Sequence, residues 1–131
     1  MVSVIYVEDD PDVASFVCHI LFHKYGISLH IFSSVKDAVE WLTFTPADVI
    51  VSDYNMPEMN GVEFLKILRA RGDHTPFILF SGAEDIEKLA RAAAMNESLN
   101  ILSKNQDAGK QINRLANMIR RAVQFSSNMN G

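Results

Sequence analysis

Short apolar runs alternate with helix-like segments five times along the chain, and this alternation constrains the fold more than any other feature. The runs are rich in Val, Ile, Leu and Phe, and turn-forming residues bound them. We predict that each run is a β-strand, which places the strands at residues 2–7, 28–32, 48–52, 76–80 and 99–102.

Each predicted strand is followed by apolar residues that recur every three or four positions, the spacing typical of an amphipathic helix. Pro11 suits the first turn of the first helix, and Ser34 is predicted as the N-cap of the second. Gly61 opens the third helix, and Gly72 closes it. The core stripes of the five predicted helices begin at Val13, Val35, Val62, Ile86 and Ile112.

Strands that are apolar throughout, rather than alternating, are typical of a parallel sheet with helices on both faces. We therefore predict a three-layer αβα sandwich with five parallel strands, five helices and right-handed crossovers. A length of 131 residues suits one domain. We assign residues 1–125 to that domain and residues 126–131 to a disordered tail.

Composition excludes several classes of protein. Hydrophobic residues make up 48% and charged residues 21%, which is globular composition. With a net charge of −4, the chain lacks the excess of basic residues that neutralises phosphates, so we expect no direct nucleic-acid partner. No apolar run approaches the roughly 20 residues that span a bilayer, and no basic segment precedes the first run. We expect a cytoplasmic protein with no membrane partner, and its single cysteine excludes an intramolecular disulfide.

Polar side chains gather at one edge of the predicted sheet. Ligand sites in open parallel sheets lie at the carboxyl ends of the strands, where loops and helix N-termini converge. The residues that follow the predicted strands on this rule are Glu8, Asp9, Asp10, Asp53, Ser81 and Lys104.

Carboxylates this close repel one another unless a cation is present, and Mg²⁺ is held by one or two carboxylates, a carbonyl and waters. We predict Asp9 and Asp53 as direct ligands, Glu8 as a ligand through water, and the main-chain carbonyl of Asn55 as a further ligand. With this ion, Asp53 would attack a phosphoryl group as the nucleophile and form an aspartyl phosphate. Lys104 would supply a positive charge to the phosphoryl oxygens, and Ser81 a hydroxyl donor.

The order of these motifs resembles the receiver domain of two-component response regulators, including the chemotaxis regulators. The resemblance covers residues 1–125 and rests on Glu8-Asp9, on Asp53 with Met56-Pro57 and Gly61, on Ser81-Gly82 and on Lys104. It implies a flavodoxin-like sheet of order 2-1-3-4-5. It also implies a signalling domain rather than an enzyme, catalysing only its own phosphorylation and dephosphorylation.

By this resemblance, Asp53 would accept phosphate from a sensor histidine kinase or a histidine phosphotransfer protein, and Mg²⁺ would be required. Ser81 and Lys104 would read the phosphoryl group and shift the face made by helix 4, strand 5 and helix 5. The family uses that face for homodimers and output. Met118, Ala122 and Phe125 form a second apolar face on the last helix, which favours such a contact.

Two departures from the family pattern motivate an alternative function. Asn105 follows Lys104 where receivers usually have a proline in a cis peptide, and Ile101 stands where they usually have an aromatic residue. The alternative is a pseudo-receiver that binds partners without being phosphorylated. A hydrolase with an aspartyl nucleophile is disfavoured, because Asn55 stands where such enzymes need a second acid.

His19 and His23 have the i, i+4 spacing of a helical metal pair. No third ligand is evident in the sequence, and both lie off the apolar stripe of the first helix. We predict a solvated pair rather than a metal site.

Overall fold

The computed structural model describes residues 2–81, 100–103 and 108–130, with side chains for residues 2–80 and 109–124. The described residues form five strands and four helices. The strands are β1 (Val4–Val7), β2 (Leu29–Phe32), β3 (Val49–Ser52), β4 (Phe77–Ser81) and β5 (Asn100–Ser103). The described helices are α1 (Pro11–Tyr25), α2 (Val35–Phe44), α3 (Gly61–Ala70) and a C-terminal helix (Ala108–Asn130).

The strands form one parallel sheet of order β2-β1-β3-β4-β5. Val7 is paired with both Phe32 and Ser52, so β1, β2 and β3 end at the same level. Ser81 at the end of β4 is paired with Ser103 at the end of β5. The carboxyl ends of all five strands therefore lie at one edge of the sheet, as the sequence predicts.

Helices cover both faces of the sheet, which confirms the predicted flavodoxin-like arrangement. Side chains alternate along β1: Val4 and Tyr6 pack with α1 and the C-terminal helix, whereas Ile5 and Val7 pack with α2 and α3. The predicted stripe of the C-terminal helix is buried at Ile112, Leu115, Ala116 and Ile119.

Helix boundaries follow from capping side chains. The carboxylate of Asp10 accepts hydrogen bonds from the N–H groups of Asp12 and Val13 and starts α1, and Gly26 ends it in the left-handed conformation at φ 69°. Ser34 caps α2, as predicted. Asn60 and Glu63 form a reciprocal capping box at the start of α3.

Some predictions concern residues that the structure treats differently or does not describe. The predicted helix around Ile86 lies outside the described residues. The C-terminal helix continues to Asn130, so residues 126–130, expected in a tail, have helical backbone. No proline or glycine occurs between Gly109 and Gly131, and each added helical residue adds a hydrogen bond. Within the described parts of the chain, no helix is long and apolar enough to cross a membrane.

Candidate functional site

Two acids continue the sheet for one residue beyond their strands. The N–H of Glu8 donates to the carbonyl of Phe32 on β2 at 3.0 Å, and the N–H of Asp53 donates to the carbonyl of Val7 on β1 at 3.0 Å. Because Val7 and Ser52 are register partners, Glu8 and Asp53 leave neighbouring strands side by side. Backbone pairing therefore fixes the position of both acids.

Three carboxylates meet at this edge. Glu8, Asp9 and Asp53 each offer one carboxylate oxygen, and these atoms lie within 4.8 Å of one another. Glu8 and Asp53 are buried, at 2% and 6% exposure, whereas Asp9 is exposed. Two of the three charges are thus largely removed from bulk water, which makes their mutual repulsion costly.

The donor set fits a hard divalent cation. Mg²⁺ takes oxygen ligands at about 2.0–2.1 Å in octahedral geometry, so direct ligands lie about 2.9 Å apart when adjacent and about 4.1 Å apart when opposite. Oxygens within 4.8 Å of one another match such an ion with direct or water-mediated ligands. Asn55, two residues beyond Asp53, lies in the loop from β3 to α3 with an exposed side chain.

Glu8 is held by hydrogen bonds from two sides. The hydroxyl of Tyr6 donates to its Oε1 at 3.3 Å, and the N–H of Asp10 donates to its Oε2 at 3.5 Å. Burial raises the pKa of the Tyr6 phenol, and the charges of Glu8 and Asp53 raise it further. Tyr6 therefore remains protonated and is a hydrogen-bond donor to Glu8.

The backbone around Asp53 is fixed by its neighbours. The Ser52 hydroxyl donates to the carbonyl of Asp53 at 2.9 Å, and the N–H of Gly61 donates to the carbonyl of Tyr54 at 2.9 Å. A Cβ on Gly61 would lie 2.5 Å from the carbonyl oxygen of Asp53. Only glycine permits the first turn of α3 to pack this closely against the acid.

Comparison with known proteins agrees with this geometry. The family model for the response regulator receiver domain matches residues 4–116. The chain belongs to the response regulator receiver domain family. The Regulator of RpoS from Escherichia coli K12 is 31% identical to this receiver domain over 116 residues, which are 88% of this chain and 33% of that protein. The chain therefore spans about a third of the length of that relative.

Solved receiver structures have the same fold. The receiver domain of the Francisella response regulator 1452 is 26% identical, with a TM-score of 0.73, over 92% of this chain and 98% of that one. Vibrio cholerae chemotaxis protein CheY4 is also 26% identical, with a TM-score of 0.72, over 90% of this chain and 98% of that one. The family predicted from the site motifs is thus confirmed.

The structure brings together part of the predicted site. Glu8, Asp9 and Asp53 form one cluster. Ser81 ends β4, the strand next to β3, but its side chain is outside the described part of the chain, as is that of Ile101 on β5. Lys104 and Asn105 also lie outside the described residues, so their roles remain predictions.

Asp10 has a different role from the other acids that follow β1. Its carboxylate caps α1 through the two N–H groups at the helix start, and its own N–H donates to Glu8. Asp10 therefore positions the helix and the neighbouring acid.

Sequence reasoning missed Tyr6 as part of this receiver site. A signal was present, because strand residues two apart lie on the same face and Tyr6 is two residues before Glu8. A tyrosine among Val and Ile also brings a hydroxyl that needs a partner when buried. Sequence reasoning also missed Ser52, whose hydroxyl donates to the carbonyl of Asp53.

Other predicted features lie away from the carboxylates. His19 and His23 are exposed, with ring centroids 4.3 Å apart, and no third ligand groups with them among the described side chains. Met118 and Ala122 are half-buried and pack against the core, and the Phe125 side chain lies outside those described.

Proposed function

We propose that this receiver domain is a phosphoacceptor switch in which Asp53 takes a phosphoryl group in the presence of Mg²⁺. The donor would be a phosphohistidine on a sensor histidine kinase or a histidine phosphotransfer protein. The observation that carries the proposal is the meeting of Glu8, Asp9 and Asp53 within 4.8 Å at the carboxyl edge of the sheet. A receiver domain that keeps this cluster keeps the charges that a divalent cation needs.

Asp53 is suited to be the nucleophile. A carboxylate oxygen would attack the phosphorus, the new O–P bond would form, and the bond from phosphorus to the donor nitrogen would break. Its side chain is 6% exposed, so little water competes at the acid itself. The hydrogen bonds from the Asp53 N–H to Val7 and from the Ser52 hydroxyl to the Asp53 carbonyl hold the backbone of the nucleophile in place at the end of β3.

Asp53 and the acids near it would also hold the cation. Asp9 and Asp53 would be direct ligands, Glu8 would act through water, and the carbonyl of Asn55 would complete the protein ligands. When bound, Mg²⁺ supplies positive charge that offsets the charge of the phosphoryl oxygens. Ser81 would donate its hydroxyl, and Lys104 its charge, to the same oxygens.

The output would be a change in partner binding. We propose that phosphorylation shifts the face formed by the predicted fourth helix, β5 and the C-terminal helix, and that this face also serves a homodimer. Direct nucleic-acid or membrane binding is not part of the proposal, and its setting is the cytoplasm. Apart from its own phosphorylation and dephosphorylation, the domain would catalyse no reaction.

Intact mass spectrometry tests the acceptor. The native chain, Asp53→Asn and the matched control Asp37→Asn would each be incubated with Mg²⁺ and acetyl phosphate. Asp37 is an exposed acid in the first turn of α2, away from the carboxylate cluster. We expect one phosphoryl group on the native chain and on Asp37→Asn, and none on Asp53→Asn or when EDTA replaces Mg²⁺.

A phosphoryl group on Asp53→Asn would contradict the assignment of the acceptor. If the native chain gains no mass from acetyl phosphate, a phosphorylated histidine phosphotransfer protein replaces it as donor. Failure with both donors would contradict the phosphoacceptor function and favour a pseudo-receiver that binds partners without phosphorylation.

A further inference from the structure

The Tyr6 side chain contacts both the apolar core and the carboxylate site. It is fully buried and belongs to the apolar layer between the sheet, α1 and the C-terminal helix. Its hydroxyl, however, reaches the carboxyl edge of the sheet and donates to Glu8 Oε1 at 3.3 Å. The residue therefore links the core directly to the cluster of carboxylates.

The Tyr6 hydroxyl donates to Glu8, a buried acid that a second hydrogen bond also holds. Glu8 is 2% exposed, and its second oxygen, Oε2, accepts from the N–H of Asp10 at 3.5 Å. Each carboxylate oxygen has acceptor sites for more than one partner, so a hydrogen bond to Tyr6 is compatible with an ion or its waters. These two hydrogen bonds, to different oxygens, restrict the rotation of the carboxylate.

We propose that the Tyr6 hydroxyl is a positioning group for the metal site, holding the carboxylate of Glu8 in the orientation that serves Mg²⁺. This inference rests on the proposed function, because it needs the cluster to bind the ion. Hydrogen-bond partners of metal-binding carboxylates orient them, and their removal typically costs about 10- to 100-fold in metal affinity. Hydrogen bonds in binding sites also commonly shorten when the ligand arrives.

A purely structural role for the hydroxyl would give different results. A buried tyrosine hydroxyl needs some acceptor, and Glu8 is the acceptor that this structure provides. If Glu8 served only to satisfy the buried hydroxyl, Tyr6→Phe would change the stability of the fold and leave Mg²⁺ affinity unchanged. Affinity and its dependence on Glu8 therefore separate the two roles.

The experiment is a double-mutant cycle read by Mg²⁺ titration calorimetry. The four chains are the native protein, Tyr6→Phe, Glu8→Gln and the double variant. We expect Tyr6→Phe to weaken Mg²⁺ binding by about 10-fold or more in the native background. In the Glu8→Gln background, the same substitution should change the affinity by no more than about twofold, because the group it positions is already altered.

Two further measurements keep the test specific. Tyr25→Phe is the matched control, since it also removes a hydroxyl that donates to a side chain, Asn113 at 3.1 Å, at the other end of α1. It should leave Mg²⁺ affinity unchanged. Mg²⁺ should also change the near-ultraviolet tyrosine spectrum of the native chain, and this change should be smaller in Tyr6→Phe at saturating Mg²⁺, where Tyr54 beside Asp53 still contributes.

The outcomes separate this inference from the proposed function. A native affinity that Tyr6→Phe leaves unchanged, or equal losses in both backgrounds, would overturn the role of Tyr6 and leave the metal site intact. A native chain that binds no Mg²⁺ would overturn the proposed function and this role together. If Tyr6→Phe weakens Mg²⁺ binding in the native chain but not in Glu8→Gln, the result supports the positioning role of Tyr6.

Discussion

Gly61 lies directly against the carbonyl oxygen of Asp53, so closely that a Cβ on Gly61 would stand 2.5 Å from that oxygen. The contact joins the start of α3 to the proposed phosphoacceptor. The N–H of Gly61 also donates to the carbonyl of Tyr54 and closes the loop between them. The Met-Pro-containing loop after β3 is therefore shaped by where α3 begins as well as by its own residues.

Gly61→Ala should damage both the fold and the site. The new methyl group meets backbone rather than a flexible side chain, so α3 or the Asp53 loop has to move, at a cost of about 1–3 kcal/mol in the free energy of unfolding. A displacement of the acid by a fraction of an ångström should slow phosphorylation by acetyl phosphate roughly tenfold or more. Urea unfolding and intact mass over time measure the two effects.

Gly26→Ala is the control for this substitution. Gly26 ends α1 at φ 69° with no atom near a new Cβ, so alanine there is strained without touching the site. It should lower stability by about 1–2 kcal/mol and leave the phosphorylation rate unchanged. Equal phosphorylation rates for Gly61→Ala and Gly26→Ala would contradict a specific role for the contact between Gly61 and Asp53.

Mg²⁺ should stabilise the native chain. An ion that binds the folded cluster of acids and not the unfolded chain raises the free energy of unfolding by about 2.7 kcal/mol at a concentration 100 times its Kd. Asp9→Asn should remove most of this rise without itself destabilising the fold, because the Asp9 side chain is exposed. Thermal unfolding in Mg²⁺ and in EDTA measures the difference, with the exposed acid Glu40→Gln on α2 as control. A rise in Asp9→Asn as large as that of the native chain would contradict its assignment as a ligand.

Asp10 should contribute to the stability of α1 rather than to metal binding. Its Oδ1 accepts from the N–H groups of Asp12 at 2.9 Å and Val13 at 3.3 Å. Asp10→Ala should therefore cost about 1 kcal/mol in the free energy of unfolding, whereas Asp10→Ser keeps a capping oxygen and should cost less. Mg²⁺ affinity should be the same in both variants. Lost affinity at unchanged stability would make Asp10 a ligand instead of a cap.

The sequence predicts the sheet and three of the acids because the signals for both are local. Strands appear as apolar runs, and the rule for parallel sheets brings their carboxyl ends together, so the meeting of Glu8, Asp9 and Asp53 follows from the sequence. Ser34 is a further local signal, because an N-cap depends on the few residues after it. These features need no knowledge of how distant side chains meet.

The contacts of Tyr6 and Gly61 depend on three-dimensional detail that no local pattern contains. The 3.3 Å contact from Tyr6 to Glu8 needs one particular side-chain orientation at each residue. The approach of Gly61 to Asp53 needs the path of a whole loop, including Glu58 in the left-handed region at φ 72°. Pro11 indicates that the first helix starts directly after Asp10, but the hydrogen bond from the Asp10 N–H to Glu8 depends on side-chain geometry that the sequence does not contain.

The buried Tyr6 phenol should make the stability of the chain fall in alkali. Burial and the charges of Glu8 and Asp53 raise its pKa in the folded state, whereas in the unfolded chain it has the ordinary value of about 10. Above pH of about 10 the unfolded chain loses this proton while the folded chain keeps it, so the unfolded state binds fewer protons. The contribution to stability is complete below that pH and is lost as the pH rises, by up to about 1.4 kcal/mol per pH unit. Urea unfolding in EDTA at several pH values above about 9 measures the slope. Tyr6→Phe should show a shallower decline than the native chain, and parallel curves would contradict the effect of burial on Tyr6.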